Sequence, residues 1–216
     1  MKKPVHMLFP IMMALVVTAC TDGGKEAGSP RGACGEALGT AGVAWFERKA
    51  GKLEVDADNS STDLKEARSE YYKQMNPYDP DAQNWAAEIC DVRRYVSGRE
   101  RVFTLVYGPS SVPFNSDSGE EDGTMTSLNS DVKLHQRQDV HGKVEYGVYV
   151  RCKVSGTPPQ QLDETPLAGV MTDTLTGDTS AREHMKHLLH STQVMARALA
   201  CQNKPAIPSE PPSSVG

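Results

Sequence analysis

Between positions 144 and 154 every second residue can be buried: Val144, Tyr146, Val148, Val150, Cys152 and Val154 alternate without a miss. A side-chain period of two sends successive residues to opposite faces of a strand. The segment 143–154 is therefore predicted as a strand of an antiparallel sheet with one buried face, which points Cys152 into the core. Such a strand needs neighbours. Residues 132–138 form the expected partner, joined through His141-Gly142 as a hairpin. Two further runs, 101–107 (bounded by Gly108-Pro109) and 167–175, bring the sheet to about four strands.

The flanking periodicity is helical. From about 35 to 50, Leu38, Ala41 and Trp45 recur at helical spacing, and Gly51 suits the residue just past a helix end. Gly39 and Gly42 weaken that helix by about 1 kcal/mol each, so they mark a face that another backbone can approach. A second helix starts at Asp63, where Glu66 completes a variant capping box. It buries Leu64, Ala67, Tyr71 and Met75 and stops before Pro77. A third is expected with Asp79 as N-cap and Pro80 at its first position. It would present Trp85, Ile89 and Val92, carry Cys90 on its flank, and end near Gly98. The strongest helix is the last. Ser180 and Glu183 form its capping box, and Met185, Leu188, Leu189, Thr192, Met195, Ala196 and Leu199 share one arc of about 120°. Helices, then strands, then a helix define an α+β domain: three N-terminal helices, an antiparallel sheet and one long C-terminal helix. The chain has no internal repeat.

The N-terminus carries a different signal. Lys2 and Lys3 precede an almost uncharged apolar run that closes as Val17-Thr18-Ala19-Cys20. The run is shorter than the roughly 20 residues that cross a bilayer, and Pro10 interrupts it. A basic start, an apolar stretch and small residues before a cut site mark an export signal. A cysteine directly after the cut makes Val17–Cys20 resemble the lipobox of bacterial lipoproteins. That resemblance implies a diacylglyceryl group on Cys20, cleavage that leaves Cys20 first, and attachment to a membrane without spanning it. It also implies a location outside the cytoplasm on the cell membrane, or on the outer membrane of a two-membraned organism, because Thr21 and not aspartate follows the cysteine. The layout is then a signal peptide at 1–19, a lipidated end and tether at 20–33, one domain at 34–203, and a Pro/Ser-rich tail at 204–216 expected to be disordered. The tether's length places the domain about 20 Å from its anchor.

With Cys20 assigned to lipid, four cysteines remain: Cys34, Cys90, Cys152 and Cys201. An even count in an exported domain reads as two disulfides, and none of the spacings fits a zinc pattern. Three pairings are possible. We favour Cys34–Cys90 with Cys152–Cys201, each closing a loop of about 50 residues worth up to roughly 4 kcal/mol.

Charge narrows the partners. Removing 1–19 takes two of the 23 basic residues and none of the 28 acidic ones, so the remainder carries about −7. With no run of Lys or Arg, neither nucleic acid nor an anionic lipid is an expected partner. His184, His187 and His190 stand three apart on the last helix, and neighbouring pairs at that spacing can share a metal. The stripe lies beside or opposite the apolar arc, so a solvated face turned to water or to a partner is the expectation, with a weak surface metal site as the alternative. The acidic stretch 117–122 sits in a long loop between Gly108 and Thr124 and does not follow the calcium-loop spacing. No nucleophile elbow, β-lactamase-type serine motif or phosphate loop is present, and no cofactor is expected.

Beyond the lipobox, Cys34-Gly35-Glu36-Ala37-Leu38 opening the domain and Ala198-Leu199-Ala200-Cys201-Gln202-Asn203 closing it, with Cys90 and Cys152 between, resemble uncharacterised lipid-anchored or secreted proteins of actinomycete-type bacteria. The resemblance implies an envelope location and no activity. A non-catalytic binding or interaction module of the envelope is the expected function, with an envelope hydrolase as the alternative. The first calls for an exposed patch or groove. The second calls for a concave pocket with convergent polar groups and a perturbed acid or base.

Overall fold

The fold is taken from a computed structural model of the chain, which describes residues 32–51, 63–75, 86–116, 123–138 and 143–215. The signal segment, the lipobox, Asp79-Pro80, Trp85, the acidic stretch 117–122 and His141-Gly142 lie outside the described residues.

Along the chain run α1 (Gly32–Ala50), α2 (Leu64–Met75), β1 (Ala87–Val96), β2 (Arg99–Pro109), β3 (Gly123–Ser127), β4 (Val132–Gln138), β5 (Val144–Val150), the short α3 (Gln161–Glu164), β6 (Leu167–Asp173) and α4 (Ala181–Ala198). The class is α+β with one antiparallel sheet. Its six strands are ordered β1-β2-β6-β5-β4-β3. Tyr146 and Val148 of β5 stand opposite Met171 and Gly169 of β6, and Leu105 and Tyr107 of β2 stand opposite the same two residues. These positions share the face on which the helices lie. There α4 crosses β5 and β6, α1 lies beside α4 over β1, and α2 touches β1, β2 and α4. Leu38, Phe46, Phe103, Leu105, Leu134, Met171, Met185, Leu188 and Leu189 are buried in the layer between.

Two expectations are corrected. The third helix is a strand: Ile89, Cys90 and Val92 belong to β1, paired with β2. A bulge between Glu88 and Cys90 buries both Ile89 and Cys90. The resulting phase jump breaks strict alternation and imitates helical spacing. Gly98 is not a helix end but part of a tight turn, where Ser97 and Gly98 both take positive φ (51° and 76°), the backbone that a two-residue hairpin demands. The sheet also has six strands rather than about four. Besides β1, the missed strand is β3, a five-residue polar edge strand without alternation that pairs with β4.

The remaining elements stand where periodicity put them. The Asp63 carboxylate accepts the Glu66 N–H at 2.6 Å, and Ala67, Tyr71 and Met75 are buried along α2. Ser180 caps α4 by accepting the Glu183 N–H at 3.2 Å, and the whole apolar arc from Met185 to Leu199 is buried. Burial continues at Cys152 and Val154, past the end of the β5 ladder. What holds that extension is Gln161. Its side chain accepts from Val154 N at 3.0 Å and Thr157 Oγ1 at 3.1 Å, and donates to the Cys152 carbonyl at 3.0 Å and the Thr165 carbonyl at 3.1 Å.

Cys34 pairs with Cys90 and Cys152 with Cys201, their Cα atoms 4.8 and 4.9 Å apart. The first ties α1 to β1 and the second ties the end of α4 to the segment after β5. The segment 204–215, expected to be a disordered tail, instead runs back along α4. Gln193 donates to the Ile207 carbonyl at 2.9 Å, Lys186 meets Glu210 at 2.6 Å, and Arg182 donates to the Pro212 carbonyl at 3.1 Å. Ile207 and Val215 pack against the core. Prolines fix φ in advance, so an extended strap rich in them loses little conformational entropy on docking. The same composition that reads as disorder therefore suits an ordered strap.

Replacing Gln161 by Leu leaves buried donors and acceptors unpaired. A loss of about 2–4 kcal/mol is expected in urea unfolding under oxidising conditions, with both disulfides still intact by peptide mapping.

Candidate functional site

The three histidines of α4 lie between α4 and α1, not in water. His184 and His187 are buried, at 0% and 4% exposure, and His190 is half-buried. The reason is that α4 is covered on two sides, its apolar arc by the sheet and its histidine face by α1. The glycines of α1 make room. A Cβ on Gly39 would overlap Nε2 of His190, and one on Gly42 would lie 3.3 Å from Nδ1 of His187. Gly39 also breaks the helical backbone (φ 63°, ψ 175°), a conformation that favours glycine. A close approach does occur at these glycines, but it is made by histidine side chains and not by another backbone.

Trp45 fills the seam. Its ring lies 4.6 Å from that of His187 and edge-on to His184 at 5.2 Å. Its Nε1–H donates to Asp178 at 2.9 Å, and Lys49 meets the same carboxylate at 3.3 Å. Burial works against the Asp178 charge, yet the Trp45 and Ser180 N–H groups and Lys49 outweigh it and hold its carboxyl down at about 2.

His184 is the most constrained of the three. Tyr146 stacks on it at 4.5 Å. Its Nδ1 faces the Ser180 carbonyl at 2.7 Å and its Nε2 faces Asp173 Oδ2 at 2.8 Å, so both ring nitrogens are engaged. Asp173 also accepts the backbone N–H of Leu175 and Thr176, at 2.8 and 2.9 Å, and the Thr176 hydroxyl. With side chains 1% and 0% exposed, this histidine–carboxylate pair is closed to any substrate. It fastens the start of α4 to the end of β6.

His187 differs in having no hydrogen-bond partner at Nε2; Glu183 is 3.9 Å away. Its pKa is pushed down to about 4, first by burial, then by Lys186, His184, His190 and Arg48. Among the described residues, no group of three His, Cys, Asp or Glu side chains could hold a metal ion. Both nitrogens of His184 are already committed, so this ring is not free to join its neighbours around a metal.

Two other clusters have chemical character. On the sheet face away from the helices, buried His135 lies beside Gly147, Tyr149 and the Arg137–Glu145 ion pair, around a cleft of about 60 Å³. That holds only a few waters and no substrate. At the C-terminal end of α4 a groove of about 850 Å³ is lined by Gln193, Ala196, Arg197, Ala200, Lys204 and Ile207, among others. Ala200 and Lys204 take positive φ (52° and 48°) where the chain reverses, and the strap residues Pro205, Ala206 and Ile207 form the far wall. Asn129 donates to the Ala206 carbonyl at 2.7 Å and pins that wall to the turn before β4. Neither Arg197 nor the strap stood out in the sequence. The available hint was Cys201, which had to be anchored and so had to turn the chain just ahead of four prolines.

No family model matches the chain, and neither a curated protein nor a solved structure is found to resemble it.

Three outcomes are expected. Asp173→Ala strands the buried ring and costs about 3–5 kcal/mol in urea unfolding. Gly39→Ala, strained in backbone and blocked by His190, lowers the melting temperature by several degrees, about 2 kcal/mol or more. The third concerns pH. The unfolded chain protonates His187 near 6.5 and the folded chain only near 4, so the unfolded state holds more protons in between. Stability from this residue is complete above about pH 6.5 and falls toward about pH 4, by about 3 kcal/mol at most. Glu183 and the strap's Glu210 oppose the loss, and Arg48 and Lys186 add to it. Urea unfolding across that range should show the slope in the native protein and lose most of it in His187→Gln.

Proposed function

We propose that the chain is a non-catalytic binding module, held outside the cytoplasm by lipid on Cys20. The groove at the end of α4 carries this reading. It has room for a small ligand, apolar walls from Ala196, Pro205, Ala206 and Ile207, and two cations, Arg197 and Lys204. Its lining includes no carboxylate, imidazole or hydroxyl group. Apart from the Lys204 amine the lining offers no general acid, base or nucleophile, which suits holding a molecule better than transforming it. His184, which the sequence brought to notice, and its partner Asp173 are sealed inside. Apolar walls beside two cations suit an acidic ligand with an apolar body.

The location rests on independent features. Two disulfides fit an oxidising compartment, and among the described residues no helix is long and apolar enough to cross a membrane. The N-terminal Val17-Thr18-Ala19-Cys20 supplies the lipid attachment.

A medium-chain fatty-acid carboxylate such as decanoate is expected to raise the unfolding temperature in proportion to its occupancy. Arg197→Ala combined with Lys204→Ala should abolish the rise without lowering the starting temperature. An unchanged response in that variant would remove the groove from the account. Palmitate labelling that survives Cys20→Ser would remove the anchor.

A further inference from the structure

The β1–β2 hairpin runs on past the sheet. The ladder between β2 and β6 stops at Phe103 and Asp173, and only Val102 and Arg101 still reach Thr174. From Arg93 to Arg101 the hairpin is a two-stranded arm, projecting about 15 Å at 3.3 Å per residue. Tyr95 and Val96 on it are 75% and 44% exposed, two of the three large apolar side chains exposed among the described residues.

The arm's charge contradicts its own stability. Arg94 and Arg101 stand directly opposite one another, and Arg99, two residues along, pairs with Val96 on the same face. Like charges directly opposed in an antiparallel pair are destabilising. Among the described residues no carboxylate meets any of the three, whereas on the other face Arg93 is paired with Asp91 and Glu100. Three uncompensated arginines gather here on a chain whose net charge is −5. A sequence that breaks a local rule at an exposed site does so where function outweighs stability.

We infer that this arm is a docking surface for an acidic, extended segment of a partner protein, whose carboxylates occupy the space between Arg94, Arg99 and Arg101. Arginine forks match carboxylates two bonds at a time. The cationic side chains of the arm are all arginine, a residue enriched at interface hot spots, and exposed Val96 shares the face of Arg94, Arg99 and Arg101 while Tyr95 is exposed on the opposite one. Since β1 is also the edge strand of the sheet, an extended segment can align along it by strand addition.

The test uses the full chain with labelled poly-L-glutamate, linear polyphosphate and phosphatidylglycerol vesicles as probes. Poly-L-glutamate is expected to bind, to weaken as salt rises, and to bind at least about tenfold more weakly to Arg94→Gln/Arg101→Gln. A charge-matched control on α2, Lys65→Gln/Arg68→Gln, should keep most of the binding. In the absence of probe, the Arg94→Gln/Arg101→Gln variant should melt no lower than the native protein, because the repulsion is gone. Four results overturn the inference: no binding of poly-L-glutamate, equal loss in the control, a lower melting temperature for the arm variant, or binding confined to polyphosphate or vesicles. The last would make the arm a phosphate-binding surface instead.

Discussion

Everything in this domain depends on α4 being covered from two sides at once. A helix usually buries one stripe and wets the other. Here the apolar arc meets the sheet while the opposite shoulder, three histidines wide, meets α1. That second contact is possible because α1 gives up side chains at Gly39 and Gly42 and lets imidazole rings approach its backbone. Trp45 closes the remaining space, its ring against two of the histidines and its N–H satisfied by Asp178. The buried polar groups of this seam are matched almost throughout, and His184 is engaged at both ring nitrogens. Within the seam, among the described residues, the exception is His187, left without a partner at Nε2, and that unmet group makes the seam sensitive to acid.

Covalent and extended elements then secure the ends. Cys34–Cys90 fixes α1 to the edge of the sheet, and Cys152–Cys201 fixes the end of α4 to the loop organised by Gln161. On either side of Cys201 the chain turns through two residues of positive φ, Ala200 and Lys204, and returns as a strap along α4. The strap does for the outer side of α4 what α1 does for the histidine side. It also forms a wall of the groove, so fold and candidate site share the same residues.

The features open to ligands or partners lie far apart. The groove opens at the C-terminal end of α4 and the arginine arm projects near its N-terminal end, about 27 Å away along the helix. Among the described residues, both present cations without carboxylate partners, on a protein that is acidic overall. One has apolar walls and suits a small molecule, whereas the other is an exposed ribbon and suits an extended chain. A module that holds a small acidic ligand at one end and a protein segment at the other would need no chemistry of its own.

Much of the framework could be read from residue order. The alternation at 144–154, the arc of α4, and the caps at Asp63 and Ser180 are local patterns, and local patterns survive without knowledge of what packs against them. The cysteine count left three pairings open, and the favoured one, Cys34–Cys90 with Cys152–Cys201, is the one the fold brings together. Other features were illegible for identifiable reasons. One bulge shifted the phase of β1 and gave it helical spacing. Strand β3 is too short and polar to announce itself, and the prolines of the strap suit disorder and ordered extension equally. The fate of the histidines belonged to no local pattern. Spacing put them on one face of α4, but only the arrival of α1, with glycines in the right places, decided whether that face met water or protein. By itself the sequence determined which residues share a face. The tertiary structure decided what each face touches, because burial is a property of two surfaces and the sequence of one helix describes only its own.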